Sequence, residues 1–132
     1  MPISPTEWLD YAITQGGGSG EAAWRSAASR AYYGAYHATL PLVTGLLAGG
    51  DGGSHERVIK ALTGCSAKDF GPQRANALKS LGYLLSQARA SRVTADYNTS
   101  AGFTGKQAAA AVEEAKSVLA HIASNQALLA PP

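Results

Sequence analysis

The chain has 132 residues, of which 45% are hydrophobic and only 15% charged, with a formal net charge of +2. That length fits one domain around one core, and the alanine-rich composition excludes a disordered chain or a fibrous repeat. The lone Cys65 excludes an internal disulfide and reads as a small buried thiol; with no apolar run near the roughly 20 residues that span a bilayer, and no basic start ahead of an apolar leader, a cytoplasmic setting away from membranes is expected.

In chain order, "SPTE" at 4–7 predicts a helix start, with Ser4 as N-cap, Pro5 at the first helical position and Glu7 closing a capping box. That helix is expected to end near Gln15, followed by a flexible "GGGSG" at 16–20. Ser19 or Gly20 then caps a long second helix from Glu21 toward Leu47. Pro41 within it lacks a backbone donor and predicts a kink or a break, and "GGDGG" at 49–53 ends it. Ser54 caps a short third helix, "HERVIKAL", that Gly64 terminates, and "CSAKDFG" reads as a polar link.

Pro72 opens a fourth helix to about Val93, along which Leu78, Leu81, Leu85 and Ala88 recur at three- and four-residue spacing. After an irregular "NTSAGF", Thr104 and Gln107 predict a second capping box, and a fifth helix carries Ala108, Ala111, Val112, Ala115, Val118, Leu119 and Ile122. No alternating strand pattern, long repeat or heptad appears. The expected fold is all-α: an antiparallel bundle of four to five helices forming a single domain over residues 1–132, with 126–132 as a short flexible tail. The glycine runs lack the G-x-x-x-x-G-K-[ST] phosphate-loop pattern.

Charge is unevenly spread. No acid lies between Asp69 and Asp96, where Arg74, Lys79, Arg89 and Arg92 fall, so one helix is basic and reads either as a footprint for a polyanion or as an ordinary solvated face. At 100° per residue the second helix separates into three faces. Trp24, Ala28, Ala31, Ala35 and Ala38 form a core stripe. Ser29, Tyr32 and Tyr36 form an amphipathic face suited to an interface between chains. Arg30, Tyr33, Gly34 and His37 form the third, with Arg30 and His37 stacked along the axis where chemistry can sit.

"WRSAASRAYYGAYHATL", "SHERVIKAL" and "ASRVTADY", in that order and ahead of an alanine-rich last helix, resemble the HEPN superfamily, the higher eukaryote and prokaryote nucleotide-binding helical domains. The chain is most similar to the small prokaryotic branch, with its SRAYYAxFHA-like second helix and RxxADY-like end to the fourth, over about residues 21–122. The resemblance implies a helical bundle that commonly forms a homodimer. It also implies a gene neighbour such as a nucleotidyltransferase or another antitoxin partner, and a role in toxin–antitoxin or phage-defence systems. Many members are metal-independent endoribonucleases, with no metal or other cofactor. Their signature is an arginine, usually followed by a polar residue, and a histidine some five to seven positions later. Here Arg92 matches the arginine, Val93 replaces the polar residue, and Tyr97, Asn98 and Thr99 stand where the histidine is sought. Arg30 and His37 meet the bare spacing on the second helix instead.

Metal-free RNA cleavage needs a base for the 2'-hydroxyl, an acid for the leaving oxygen and a cation for the phosphorane charge. His37 is the candidate base, and Arg30 or Arg92 the phosphate clamp. Tyr33, Arg89, Asp96 and Tyr97 are expected to line a nucleic-acid or nucleotide cleft around them. His55 reads as a loop-end donor in solvent, and His121 has no candidate partner. Two readings stay open: a toxin or defence component acting on RNA by binding and cleavage, or a non-catalytic dimeric module that binds a protein partner or a nucleotide. Arg92 divides them, since Arg92, Asp96 and Tyr97 also suit a network that locks the fourth helix against the second.

Overall fold

A computed structural model describes residues 4–16, 20–43, 46 and 55–130. They form seven helices: α1 (Pro5–Gly16), α2 (Glu21–Val43), α3 (His55–Thr63), α4 (Ala67–Phe70), α5 (Pro72–Tyr97), α6 (Gly105–Ser124) and α7 (Gln126–Leu129). No strand occurs among the described residues, so the all-α class stands.

Local chemistry sets several of the helix starts. The Glu7 N–H donates to Ser4 Oγ at 3.2 Å while the Ser4 N–H donates to Glu7 Oε1 at 3.2 Å, the reciprocal pair expected of "SPTE". Thr104 and Gln107 close the same box at 3.1 and 2.8 Å ahead of α6. Pro72 sits in the first turn of α5, behind Gly71 at φ +81°. Gly64 ends α3 with its N–H on the Lys60 carbonyl at 2.9 Å, without entering the left-handed region.

Three stretches differ from the sequence reading, and at Pro41 α2 continues without the break that was one of the two outcomes expected there. The link "CSAKDFG" contains α4, whose N-cap Ser66 accepts from the Asp69 N–H at 3.2 Å. α5 runs on past Val93 to Tyr97, so Asp96 and Tyr97 are helical. α2 keeps Pro41 inside it and is described to Val43; Leu47, 49–53, Ser54 and Ser19 lie outside the described residues. The segment from 126, read as a tail, forms α7, whose Leu129 is fully buried.

α2 and α5 are the central pair: α2 packs on α1, α3, α5 and α6, and α5 on α2, α3, α4, α6 and α7. The expected stripe of Leu78, Leu81 and Leu85 is fully buried, and Ala31 and Ala35 of α2 join it in one core. A smaller cluster of Ala27, Ala28, Ala95, Phe103, Ala108 and Ala111 fills the other end, where Trp24 packs against it. Two crossings depend on a missing side chain. A Cβ on Gly34 meets the Pro5 carbonyl at 3.0 Å, and one on Gly82 meets Thr63 Cγ2 at 2.7 Å, so α1 and α3 approach these helices at backbone distance. Cys65 is buried, donates to the Ala61 carbonyl at 3.2 Å, and has its thiol pKa pushed up chiefly by burial. Among the described residues no helix is long and apolar enough to cross a membrane.

Candidate functional site

The two motif-bearing stretches meet on the seam between α2 and α5. Arg92 Nε lies 2.8 Å from Asp96 Oδ2, the i to i+4 pairing that the extension of α5 makes possible. The Nε–H does not aim along that line, so the contact is electrostatic more than a well-aligned hydrogen bond. Arg92 Nη2 donates to the Tyr33 hydroxyl at 3.3 Å, and Ser29 Oγ donates to Asp96 Oδ2 at 3.4 Å, which ties α5 back to α2 twice. The guanidinium lies 5.5 Å from the Tyr33 ring centre and 5.4 Å from that of Tyr97, within cation–π reach. Burial opposes its charge, but Tyr33, Asp96 and Tyr97 more than offset that and raise its pKa. Tyr97 leaves 69% of its surface in water.

Trp8 of α1, which the sequence reading did not single out, organises the neighbouring face. Arg30 lies 5.5 Å from its ring, and His37 stacks on it at 6.2 Å between centroids. Arg30 and His37 thus share one face of α2, as their spacing predicts. Tyr33 joins the two sets, 5.9 Å from Trp8, 6.2 Å from His37 and 5.5 Å from Arg92. The outcome is a run of cations and rings: Arg30, Trp8, Tyr33, Arg92, Tyr97. Arg89, one turn before Arg92, is half-buried and makes no ion pair among the described residues.

Three expectations are corrected here. The face of Ser29, Tyr32 and Tyr36 has almost no surface to offer a second chain: Tyr32 is 1% and Tyr36 9% exposed, and Ser29 is engaged with Asp96. α3 covers it, because the apolar rings of both tyrosines are worth more in the core than in water. His55 is not a solvated loop-end residue. Its Nδ1 sits 2.7 Å from the Tyr32 hydroxyl, and its ring lies 4.3 Å from Tyr36 and 6.3 Å from Tyr33. His121 also has partners: it meets the Ala77 carbonyl at 2.9 Å through Nε2 and Asn125 at 3.4 Å through Nδ1, and so braces α6 against α5.

Burial lowers the His55 pKa, and the charges of Arg92, Arg89 and His37 lower it further, so its ring is neutral at neutral pH. Tyr32 is pushed the other way, mainly by burial and then by Tyr36, against the opposing pull of Arg89 and Arg92, and keeps its proton throughout. Among the described residues no group of three or more His, Cys, Asp and Glu side chains could share a metal ion. No family model, no curated protein and no solved structure matches the chain.

Proposed function

We propose that the chain is a HEPN-like component of a prokaryotic toxin–antitoxin or phage-defence system that acts on RNA. One observation carries this reading: "SRAYYGAYH" and "SRVTADY" converge, through Arg92, Tyr33, Asp96 and Ser29, on a surface where cations alternate with aromatic rings. Such a surface suits single-stranded RNA, since bases stack on exposed rings and guanidinium groups meet phosphates. Tyr97 offers the exposed ring, and Arg30 and Arg89 the cations that form no ion pair among the described residues. Cleavage, if it accompanies binding, draws its proton acceptor from the histidines beside Tyr33.

A second reading is favoured by the way Arg92 is used. Two of its three nitrogens already face groups of its own chain, which fits a non-catalytic module that binds a protein partner, such as a nucleotidyltransferase, or a nucleotide. A homodimer belongs to both readings and has to use a face other than Tyr32 and Tyr36. Anisotropy of a labelled single-stranded RNA in excess chelator separates them. The RNA reading expects salt-sensitive binding that Tyr97→Ala weakens by about 1–3 kcal/mol and whose salt slope Arg30→Ala or Arg89→Ala lowers by about one. No binding at low salt and high micromolar protein defeats it.

A further inference from the structure

We propose that the seam of α2, α3 and α5 binds a phosphodiester, with His55 donating from Nε2 and Arg89 and Arg92 supplying the positive charge. This names a site within the RNA reading and rests on that reading for its ligand.

The argument starts at Tyr32. Its hydroxyl is buried and retains its proton, and its hydrogen-bond partner among the described residues is His55 Nδ1 at 2.7 Å. A phenol that keeps its proton donates it to a neutral imidazole, which places the remaining ring hydrogen on Nε2. The ring cannot turn away readily, because Tyr36 at 4.3 Å and Tyr32 at 5.2 Å pack against it, each tilted to its plane. Nε2 itself has no hydrogen-bond partner among the described residues. His55 is half-buried and its Nε2 is not among the buried unpaired atoms, so this oriented donor is open to a ligand from solvent.

The surrounding charge selects an anion. From α5, Arg89 and Arg92 act on His55; from α2, His37 does, beside the neutral Tyr32, Tyr33 and Tyr36; Glu56 and Arg57 follow it on α3. Two rings, Tyr32 and Tyr33, have both His55 and Arg92 as neighbours. Asp96 offsets part of the Arg92 charge, whereas Arg89 has no ion-pair partner among the described residues. The local field that keeps a proton off His55 therefore attracts a phosphate oxygen. Once bound, the phosphate cancels that field, and His55 takes up a proton more easily than in the free protein.

The test follows the His55 side-chain nitrogens by NMR in the full chain, with two probes: inorganic phosphate and an uncleavable 2'-O-methyl RNA hexamer. The free protein is expected to carry its hydrogen on Nε2, and each probe to shift that nitrogen and raise the His55 titration midpoint. His55→Ala should weaken hexamer binding roughly tenfold, with partial recovery in His55→Gln, whose amide restores a donor near Nε2. Tyr32→Phe, folded by circular dichroism, should give mixed tautomers and a several-fold weaker complex. A hexamer that binds without moving His55 overturns the site and leaves the RNA reading standing. Phosphate that moves His55 while no hexamer binds supports the site and defeats the RNA reading; binding of neither probe defeats both.

Discussion

Arg25 donates a 2.8 Å hydrogen bond to the carbonyl of Ala95, 70 residues along the chain. The same guanidinium reaches the carbonyls of Thr94, Asn98 and Ala101, stacks on Phe103 at 5.3 Å, and pairs with Glu21 at 3.0 Å. These carbonyls belong to the last turn of α5 and the turn after it, so a side chain from α2 caps α5 and holds the turn into α6.

Arg25→Ala should therefore cost about 2–4 kcal/mol, because four carbonyls lose this donor at once, those of Thr94 and Ala95 in part-buried bonds. Arg25→Lys should recover only a small part, since an ammonium cannot reproduce the fork. Chemical denaturation checks both; an Arg25→Ala loss within the range of ordinary surface substitutions defeats the capping role.

Glu21 gives that clamp an acid limit. The Phe103 N–H and then Arg25 hold its carboxyl below the ordinary value of 4.5, against a small opposing effect of burial. A depressed folded-state value contributes stability that is complete above 4.5 and is lost as pH falls through the folded value. The gap in melting temperature between wild type and Glu21→Gln should shrink as pH drops below that point. A gap that stays constant into strong acid contradicts the assignment.

His55 sets a second limit, at higher pH. Its folded-state value is depressed below 6.5, so as pH falls through 6.5 the unfolded chain takes up a proton that the folded chain still refuses. Stability present above 6.5 is therefore lost progressively beneath it. Wild type should lose melting temperature over this interval relative to His55→Gln; parallel curves contradict a neutral, half-buried ring.

Arg92→Ala leaves Asp96 without its cation and the Tyr33 hydroxyl without a donor, in a site where the arginine side chain is 12% exposed. The expected loss is about 1–3 kcal/mol, against little change for the exposed His37→Ala. Urea denaturation of the two variants side by side decides this: equal stabilities mean that the seam contributes nothing to the fold.

Gly82→Ala should destabilise although alanine is the better helix former by about 1 kcal/mol. The new methyl meets Thr63 Cγ2 at 2.7 Å and Leu62 Cβ at 2.9 Å, so α3 has to move off α5, at about 1–3 kcal/mol. A rise in melting temperature would show that this crossing has slack.

What the sequence made legible is what neighbours three or four residues apart decide. Both capping boxes, the leucine stripe and the Arg92–Asp96 pair depend on such spacing, and all stand. The missed α4 carried a signal of the same kind, Ser66 with Asp69 three residues on. Arg25 was not singled out in the sequence, because its bonds beyond Glu21 cross 69 to 76 residues. The tyrosine face was amphipathic on its own helix, but amphipathicity cannot tell a second chain from α3. His55 lay beyond local reasoning for the same reason: its environment is made by Tyr32, 23 positions earlier.

The double duty of Tyr32 has an evolutionary consequence. Its ring fills the core, and its hydroxyl meets His55. If folding were the only requirement, phenylalanine would serve nearly as well here, since it keeps the ring and gives up one hydrogen bond of about 1 kcal/mol. Descendants of this chain freed from the need to orient His55 should thus drift between the two residues. Lineages that retain the orientation should hold tyrosine while their other core positions exchange, so the tyrosine-to-phenylalanine ratio at this one site reads out selection on His55 separately from selection on the fold.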